Sequence, residues 1–231
     1  MNNKKMYIVI NENSAEYTGI PFKSFFNALQ KPLENILIIK SEYVGEKNYK
    51  GFEIIEGSNS IKQFSQDNYF RYGDFCFVDY SSNAEIHLKD QDIAELLFAS
   101  HTFRLLGNLA FEGLKNRFLY LAHDDVFYCK LFFQNVNDVV DILIWSISNI
   151  FQEKCPFSLP PIPTNINVQI QLMAKDGLYI DCTNFGTSKE DLRIDLHAIG
   201  YIADMDDIHN RSHKALYSKE LIYKNQKWNF C

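Results

Sequence analysis

The sequence predicts an α+β fold, in which a mixed β/α N-terminal part with buried strands and helices precedes a C-terminal antiparallel β-sheet. Three observations lead to this fold class. Short apolar runs alternate with helix-like segments over the first two thirds of the chain. A proline-rich run then occupies residues 155–163. Beyond it, apolar and polar residues alternate with a period of two, which is typical of strands with one buried face.

The composition indicates a folded protein and disfavours one class of ligand. The 231 residues are 46% hydrophobic and 23% charged, a balance that is too apolar for an intrinsically disordered chain. The formal net charge is −6. Because binding to nucleic acid depends on clustered lysine and arginine that displace counterions from phosphates, we expect no nucleic-acid binding.

The distribution of apolar residues and cysteines predicts a cytoplasmic protein with no membrane association. The apolar run at 6–10 is too short for a secretory signal. The longest apolar stretch, at 139–151, is interrupted by polar residues and is shorter than a bilayer requires. The five cysteines are odd in number and include no C-x-x-C pair, which fits reduced thiols better than disulfides.

The first elements are predicted from short apolar runs and one helical stripe. Pro21 suits the first turn of a helix, and the residues that follow it place Phe22, Phe25, Phe26 and Leu29 on one helical face. A short helix is expected near 60–67. Continuous apolar runs predict buried strands at 6–10, 36–39, 52–55 and 75–78.

Three further elements complete the first part. Asp90 is predicted to cap a helix that carries Ile93, Leu96 and Leu97. Two strand-like runs, at 118–122 and 126–133, predict a hairpin around residues 123–125. Residues 138–151 are apolar on nearly all sides, which predicts a largely buried helix.

The proline-rich run is the best candidate for a boundary. It contains four of the six prolines of the chain, and proline fixes φ and donates no backbone hydrogen bond. We therefore expect an extended connector at 155–163 between a mixed α/β part at 1–154 and a β-rich part at 164–231. A single continuous domain is the alternative.

The C-terminal part is predicted to be a sheet. Ile166, Val168, Ile170 and Leu172 alternate with polar residues and predict a strand. A three-residue loop at 175–177 would pair this strand with residues 180–182 and keep apolar side chains opposite each other. Similar alternation predicts strands at 192–198 and 221–230, with a polar loop or short helix at 204–218 between them.

The sequence contains none of the common motifs for nucleotide binding, serine hydrolysis or zinc proteolysis. No cofactor is therefore predicted by motif. His123, Asp124 and Asp125 lie together at a predicted hairpin tip, where neighbouring carboxylates can perturb each other's pKa. Aspartate is also a common turn residue, and that is the simpler interpretation of this cluster.

A second cluster combines carboxylates and imidazoles over ten residues. Two histidines four residues apart would share a helical face, and nearby aspartates could complete a mixed nitrogen and oxygen site for a divalent metal. A solvated acidic loop is the alternative interpretation. The candidate ligands are Asp204, Asp206, Asp207, His209 and His213.

The polar side of the predicted C-terminal sheet is the candidate binding surface. Such a surface could recognise a partner, although many antiparallel sheets simply expose one side to solvent. The candidate binding residues are Gln169, Gln171, Tyr179, Asp181, Arg193, Asp195 and His197.

The absence of a catalytic motif favours a non-catalytic binding protein. Its acidic charge suits a basic protein partner, and an antagonist or immunity-type protein is one concrete form of this function. The alternative is a metal-assisted hydrolase that uses the cluster at 204–213. The sequence does not predict an oligomeric state.

Overall fold

The computed structural model describes residues 5–44, 47–66, 75–82, 88–102, 104–107, 109–111, 113–123, 128–182, 186–187, 191–202, 207–208, 211 and 214–231, with the side chains of 41–44, 47–50 and 187 left aside. Twelve strands lie within the described residues. In chain order they are β1 (Lys5–Ile10), β2 (Ser14–Thr18), β3 (Asn35–Val44), β4 (Lys47–Glu56), β5 (Phe75–Tyr80), β6 (Phe118–His123), β7 (Tyr128–Phe133), β8 (Leu178–Asp181), β9 (Gly186–Thr187), β10 (Asp191–Ala198), β11 (Tyr217–Lys224) and β12 (Lys227–Phe230).

Five helices accompany the strands in the described part of the chain. They are α1 (Phe22–Ala28), α2 (Ser58–Gln66), α3 (Asp90–Thr102), α4 (Val136–Lys154) and α5 (Thr164–Lys175). None of these helices combines the length and the apolar character needed to cross a bilayer.

All twelve strands belong to one sheet, and every described pairing is antiparallel. The α+β fold class is confirmed, and the C-terminal strands are antiparallel as expected. The spatial order is β12-β11-β10-β8-β1-β2-β7-β6-β5-β3-β4, with β9 paired to β10 beside this path. β1 therefore lies inside the sheet, between β2 and a strand from the C-terminal part.

One side of the sheet carries the main hydrophobic core under four helices, α1, α2, α4 and α5, and is called the helix-covered side. α1 illustrates how the sequence builds it. The predicted stripe places Phe22 and Phe25 against Phe77 of β5 and Tyr120 of β6, with ring centroids 5.1–6.4 Å apart. Aromatic pairs at this spacing stabilise a core beyond the area that they bury.

The opposite side of the sheet, called the second side, is covered in two places. α3, together with Leu109, Phe111 and Leu114, packs over β3, β5 and β6 and buries Leu119 and Leu121. Ile199, Ile202 and Ile208 pack over β1 and β8, and they bury Tyr7 and Tyr179. Because both sides are covered at β1, all of Met6–Ile10 is buried, as the continuous apolar run predicted.

The prediction of a strand at 166–172 is wrong, because these residues belong to α5. Ile166 and Ile170 are buried together with Met173 and Ala174, which is the spacing of a helical face. Val168 and Leu172 are 50% and 54% exposed. The buried residues therefore have helical spacing. The exposed Val168 and Leu172 lie between them in the sequence, and together they produced the period of two that is typical of a strand.

The predicted loop at 175–177 is wrong for the same reason. Gly177 follows α5 and takes a left-handed conformation (φ 74°), as glycine commonly does after a helix. A β-carbon there would collide with the carbonyl oxygen of Gly200. Ile180 pairs with Met6 and Leu196 and has no pairing with residue 172.

Several smaller differences concern turns and element ends. The predicted strand at 221–230 is divided into β11 and β12 by a turn in which Asn225 and Gln226 both have positive φ. β2 was not predicted. Backbone bonds from Asp92 and Ile93 to the carbonyl of Lys89 make Lys89 the N-cap of α3, so Asp90 is its first helical residue.

The structure confirms the predicted helices after Pro21, near 60–67 and at 138–151, and the predicted strands at 6–10, 36–39, 52–55, 75–78 and 192–198. It also confirms that the two strands of the hairpin at 118–133 pair, while residues 124–127 lie outside the described part of the chain.

The proline-rich run forms neither helix nor strand and is attached to its neighbours. The side chain of Gln152 binds the backbone of Phe157 and Leu159, and the indole of Trp228 donates to the carbonyl of Pro160 at 3.0 Å. The division of the chain at 155–163 stays a prediction.

Candidate functional site

The predicted binding residues on β10 share one surface. Ile194, Leu196 and Ala198 point into the core on the helix-covered side, so Arg193, Asp195 and His197 point to the second side. The hydrophobic clusters that cover the second side contain no residue of β10, β11 or β12. This surface is called the uncovered face, and its members are Asp191, Arg193, Asp195, His197, Ser218, Glu220, Ile222, Lys224, Lys227 and Asn229.

Polar contacts cross the strands of the uncovered face. The Nδ1 atom of His197 lies 2.7 Å from the hydroxyl of Ser218. Lys224 forms an ion pair with Asp191 at 2.8 Å. Arg193 approaches Glu220 at 3.8 Å, with both side chains largely exposed. Exposed ion pairs of this kind contribute roughly 0–1 kcal/mol each, so they define the surface more than they stabilise it.

One pair on the uncovered face is unfavourable. Asp195 lies directly opposite Glu220 in the register of β10 and β11. Like charges at directly opposing positions destabilise a sheet. Arg193 offsets the charge of Glu220, whereas no described side chain forms an ion pair with Asp195. The face therefore carries a carboxylate that would gain from an added cation.

Three of the other predicted binding residues are not part of the uncovered face. Gln169 and Gln171 belong to α5, which packs on the helix-covered side, so they lie away from the uncovered face. Tyr179 does point to the second side, but it is buried beneath Ile199 and Ile202. Its ring stacks with that of His197 at 6.2 Å, so it supports the face from within. Asp181 is half-buried at the end of β8, opposite Lys5.

The predicted metal site falls mostly outside the described residues. Asp204, Asp206, His209 and His213 are not among them, and Asp207 is exposed. No group of three or more His, Cys, Asp or Glu side chains within the described ranges is arranged to hold a metal ion. Asp124 and Asp125 also lie outside the description, while His123 ends β6. The metal hypothesis stays a prediction.

A buried polar cluster that was not predicted lies between the two coverings of the second side. Glu16 of β2 is buried, and its Oε1 atom forms an ion pair with Lys130 of β7 at 2.8 Å. Tyr201 donates to Oε2 of the same carboxylate at 3.4 Å, and Tyr128 also forms a hydrogen bond to it. The carboxylate is therefore surrounded by a cation and two hydroxyl donors.

Tyr7 extends this cluster to the segment that follows β10. Its hydroxyl donates to the carbonyl of Gly200 at 3.0 Å and accepts from the amide of Ile202 at 3.2 Å. Burial raises the pKa of Tyr7 to about 12, and burial next to Glu16 also raises the pKa of Tyr128. Both phenols therefore stay protonated and act as hydrogen-bond donors. The cluster holds residues 200–202 onto the sheet.

A weak sequence signal for this cluster existed. Ala15 and Tyr17 alternate with Ser14, Glu16 and Thr18, which is a period of two over five residues. The polar residues of β2 are nevertheless buried. A pattern of alternating polar residues normally predicts exposure to solvent, so it did not indicate a buried cluster here.

Comparison of the chain with models of protein families, with curated proteins and with solved structures finds no significant match.

Proposed function

We propose that this is a non-catalytic binding protein that recognises a basic protein partner through the uncovered face. One observation carries the proposal: on the second side, the described elements cover β3, β5 and β6 and then β1 and β8, but they leave β10–β12 open. An antagonist that neutralises a basic protein is one concrete form of this function.

One pair of carboxylates supports a basic partner on the uncovered face, whose three acidic and three basic side chains otherwise balance. Asp195 opposes Glu220, and placing two carboxylates opposite each other costs stability. A lysine or arginine from a partner would remove that cost on binding, because an opposite charge lowers the energy of both carboxylates. The net charge of −6 would also accelerate the approach of a cationic protein.

We place this interaction in the cytoplasm. None of the five cysteines forms a disulfide, and Cys76, Cys129 and Cys155 are buried. Burial raises the pKa of the Cys129 thiol to about 12, so it is unreactive at neutral pH. Thiols that contribute to a core in this way suit a reducing compartment.

The substitution Asp195→Lys separates binding from folding. It replaces a repulsive pair with an attractive one, so the free energy of unfolding should rise by roughly 0.2–1 kcal/mol. At the same time, it places a cation where the proposed partner supplies one. We expect affinity purification from the native host, followed by mass spectrometry, to recover one stoichiometric basic protein with the wild type and to lose it with Asp195→Lys.

Glu12→Lys is the matched control, because it makes the same change of charge at an exposed position in the β1–β2 turn. It should leave capture of the partner unchanged. Recovery of no basic protein under any condition, or equal recovery with wild type and Asp195→Lys, would overturn the proposal.

A further inference from the structure

β4 forms one end of the sheet. It pairs with β3 along its whole length, and no other described strand pairs with it. At ten residues it is far longer than β12 at the other end, which has four. An edge strand presents a row of unpaired N–H and C=O groups that can pair with another chain.

The hydrogen-bonding pattern shows which groups of β4 face outward. Just beyond the strand, the amide of Gly57 donates to the carbonyl of Glu34, its partner in the same register. Hydrogen-bonded and non-bonded pairs alternate along an antiparallel ladder. Gly51, Glu53 and Ile55 therefore bond to β3, and Phe52 and Ile54 direct their N–H and C=O groups away from the sheet.

The outward-bonding residues also expose apolar side chains. Phe52 and Ile54 are 53% and 54% exposed, and they share a side of the sheet with their β3 partners, Ile39 and Leu37. Soluble proteins commonly protect such an edge with proline, a bulge or an inward-pointing charge. β4 contains no proline and pairs with β3 without a break in register.

The charges of β4 are complementary to the same strand running in the opposite direction. Lys47 and Lys50 lie in its first half and Glu56 at its end, while Glu53 forms an ion pair with Lys40 of β3. Antiparallel pairing of two β4 strands brings Lys50 of each copy close to Glu56 of the other, whereas parallel pairing would place like charges together. The strand is thus self-complementary, as an isologous two-fold contact requires.

We propose that β4 binds a second copy of this chain: the two β4 strands pair antiparallel about a two-fold axis and join the two sheets. The axis is perpendicular to the sheet and passes beside Phe52, so that Phe52 of each copy exchanges backbone hydrogen bonds with its equivalent. In this register, Ile54 lies opposite Lys50, and Lys50 lies diagonally beside Glu56 of the other copy.

The contact is small compared with stable complexes, which bury about 1,600 Å² in total. We therefore expect a dimer that forms in a concentration-dependent manner, with a dissociation constant on the order of tens of micromolar. Because charge complementarity contributes, raising the salt concentration should weaken it.

Sedimentation equilibrium of the full chain, from about 1 to 200 µM, tests the proposal. The wild type should shift from monomer to dimer over this range. Ile54→Pro removes an N–H that faces away from β3, so β4 should still pair within the chain, while dimerisation should weaken at least about tenfold. Urea unfolding checks that this variant keeps its fold.

A charge exchange provides the second arm. Lys50→Glu and Glu56→Lys should each weaken dimerisation by roughly tenfold, and the double variant should restore it to within about threefold of wild type. A chain that stays monomeric up to about 200 µM, or a dimer that none of these substitutions affects, would overturn the proposal.

Discussion

Asp79 shows how burial changes the behaviour of a single carboxyl group. It lies near the end of β5, is buried, and accepts hydrogen bonds from the amides of Arg117 and Phe118 at 2.8 and 2.7 Å. Those bonds favour the carboxylate, but loss of water outweighs them. The pKa of Asp79 is raised to about 6.

Asp79→Asn should therefore change the pH dependence of stability. A folded-state pKa above the unfolded value means that protonation favours the folded protein, so this contribution is present below about pH 4 and is lost as the pH rises through 6. The amide oxygen of asparagine can accept the same two hydrogen bonds without titrating. The stability of the variant relative to wild type should increase by about 2 kcal/mol from pH 4.5 to pH 7.5, measured by urea unfolding. A difference that does not vary with pH would contradict this expectation.

The candidate site could be predicted only where single residues follow the simple alternation of a strand. Arg193, Asp195 and His197 were found because their β10 neighbours are apolar and face the core. Glu16 and Lys130 were missed because their ion pair joins two strands that lie far apart in the sequence, and Tyr201, which binds the same carboxylate, is far from both. A polar residue that tertiary contacts bury carries no local signature in the sequence.

At the level of elements, prediction depended on whether two periodicities competed. β1, α1 and α4 were predicted correctly because each has a single clear pattern. The sequence of α5 fits both a helix and a strand. Ile166 and Ile170 are four positions apart, as on one face of a helix, and Val168 midway between them completes the period of two of a strand. Pro163 directly before this helix suits a helix start as well as it suits the end of a linker.

A matched pair of substitutions in α5 tests the helical assignment. Ile170→Ala removes a buried side chain and should lower the free energy of unfolding by about 2–5 kcal/mol. Val168→Ala alters an exposed side chain and should change it by less than about 0.5 kcal/mol. Urea unfolding of both variants measures the difference. In a strand the two side chains would share one buried face, so equal losses would contradict the helix.

At the scale of the whole molecule, strands from before and after the proline-rich run belong to the same sheet. β8 pairs with β1 and β10, and α5 packs against β1. The fold class was predictable because it depends on summed local patterns. The strand order was not, since which strands become neighbours depends on contacts between distant parts of the chain.

The fragment 164–231 should consequently fail to fold alone. Without β1, β8 would have an unpaired edge, and Ile170 and Leu178 would lose apolar neighbours in the main core. We expect the isolated fragment to show no cooperative thermal transition by circular dichroism, and to gain one when mixed with fragment 1–163. A cooperative transition of the fragment by itself would instead support a separate C-terminal domain.

The central place of β1 also has a consequence for biosynthesis. β1 leaves the ribosome well before its partner β8, which follows roughly 170 residues later. At translation speeds of about 5–20 residues per second, the edge of β1 that pairs with β8 has no partner strand for roughly 10–30 s. We expect chaperones that bind exposed strand edges to protect the nascent chain during this interval. The yield of folded protein should therefore fall when such chaperones are depleted.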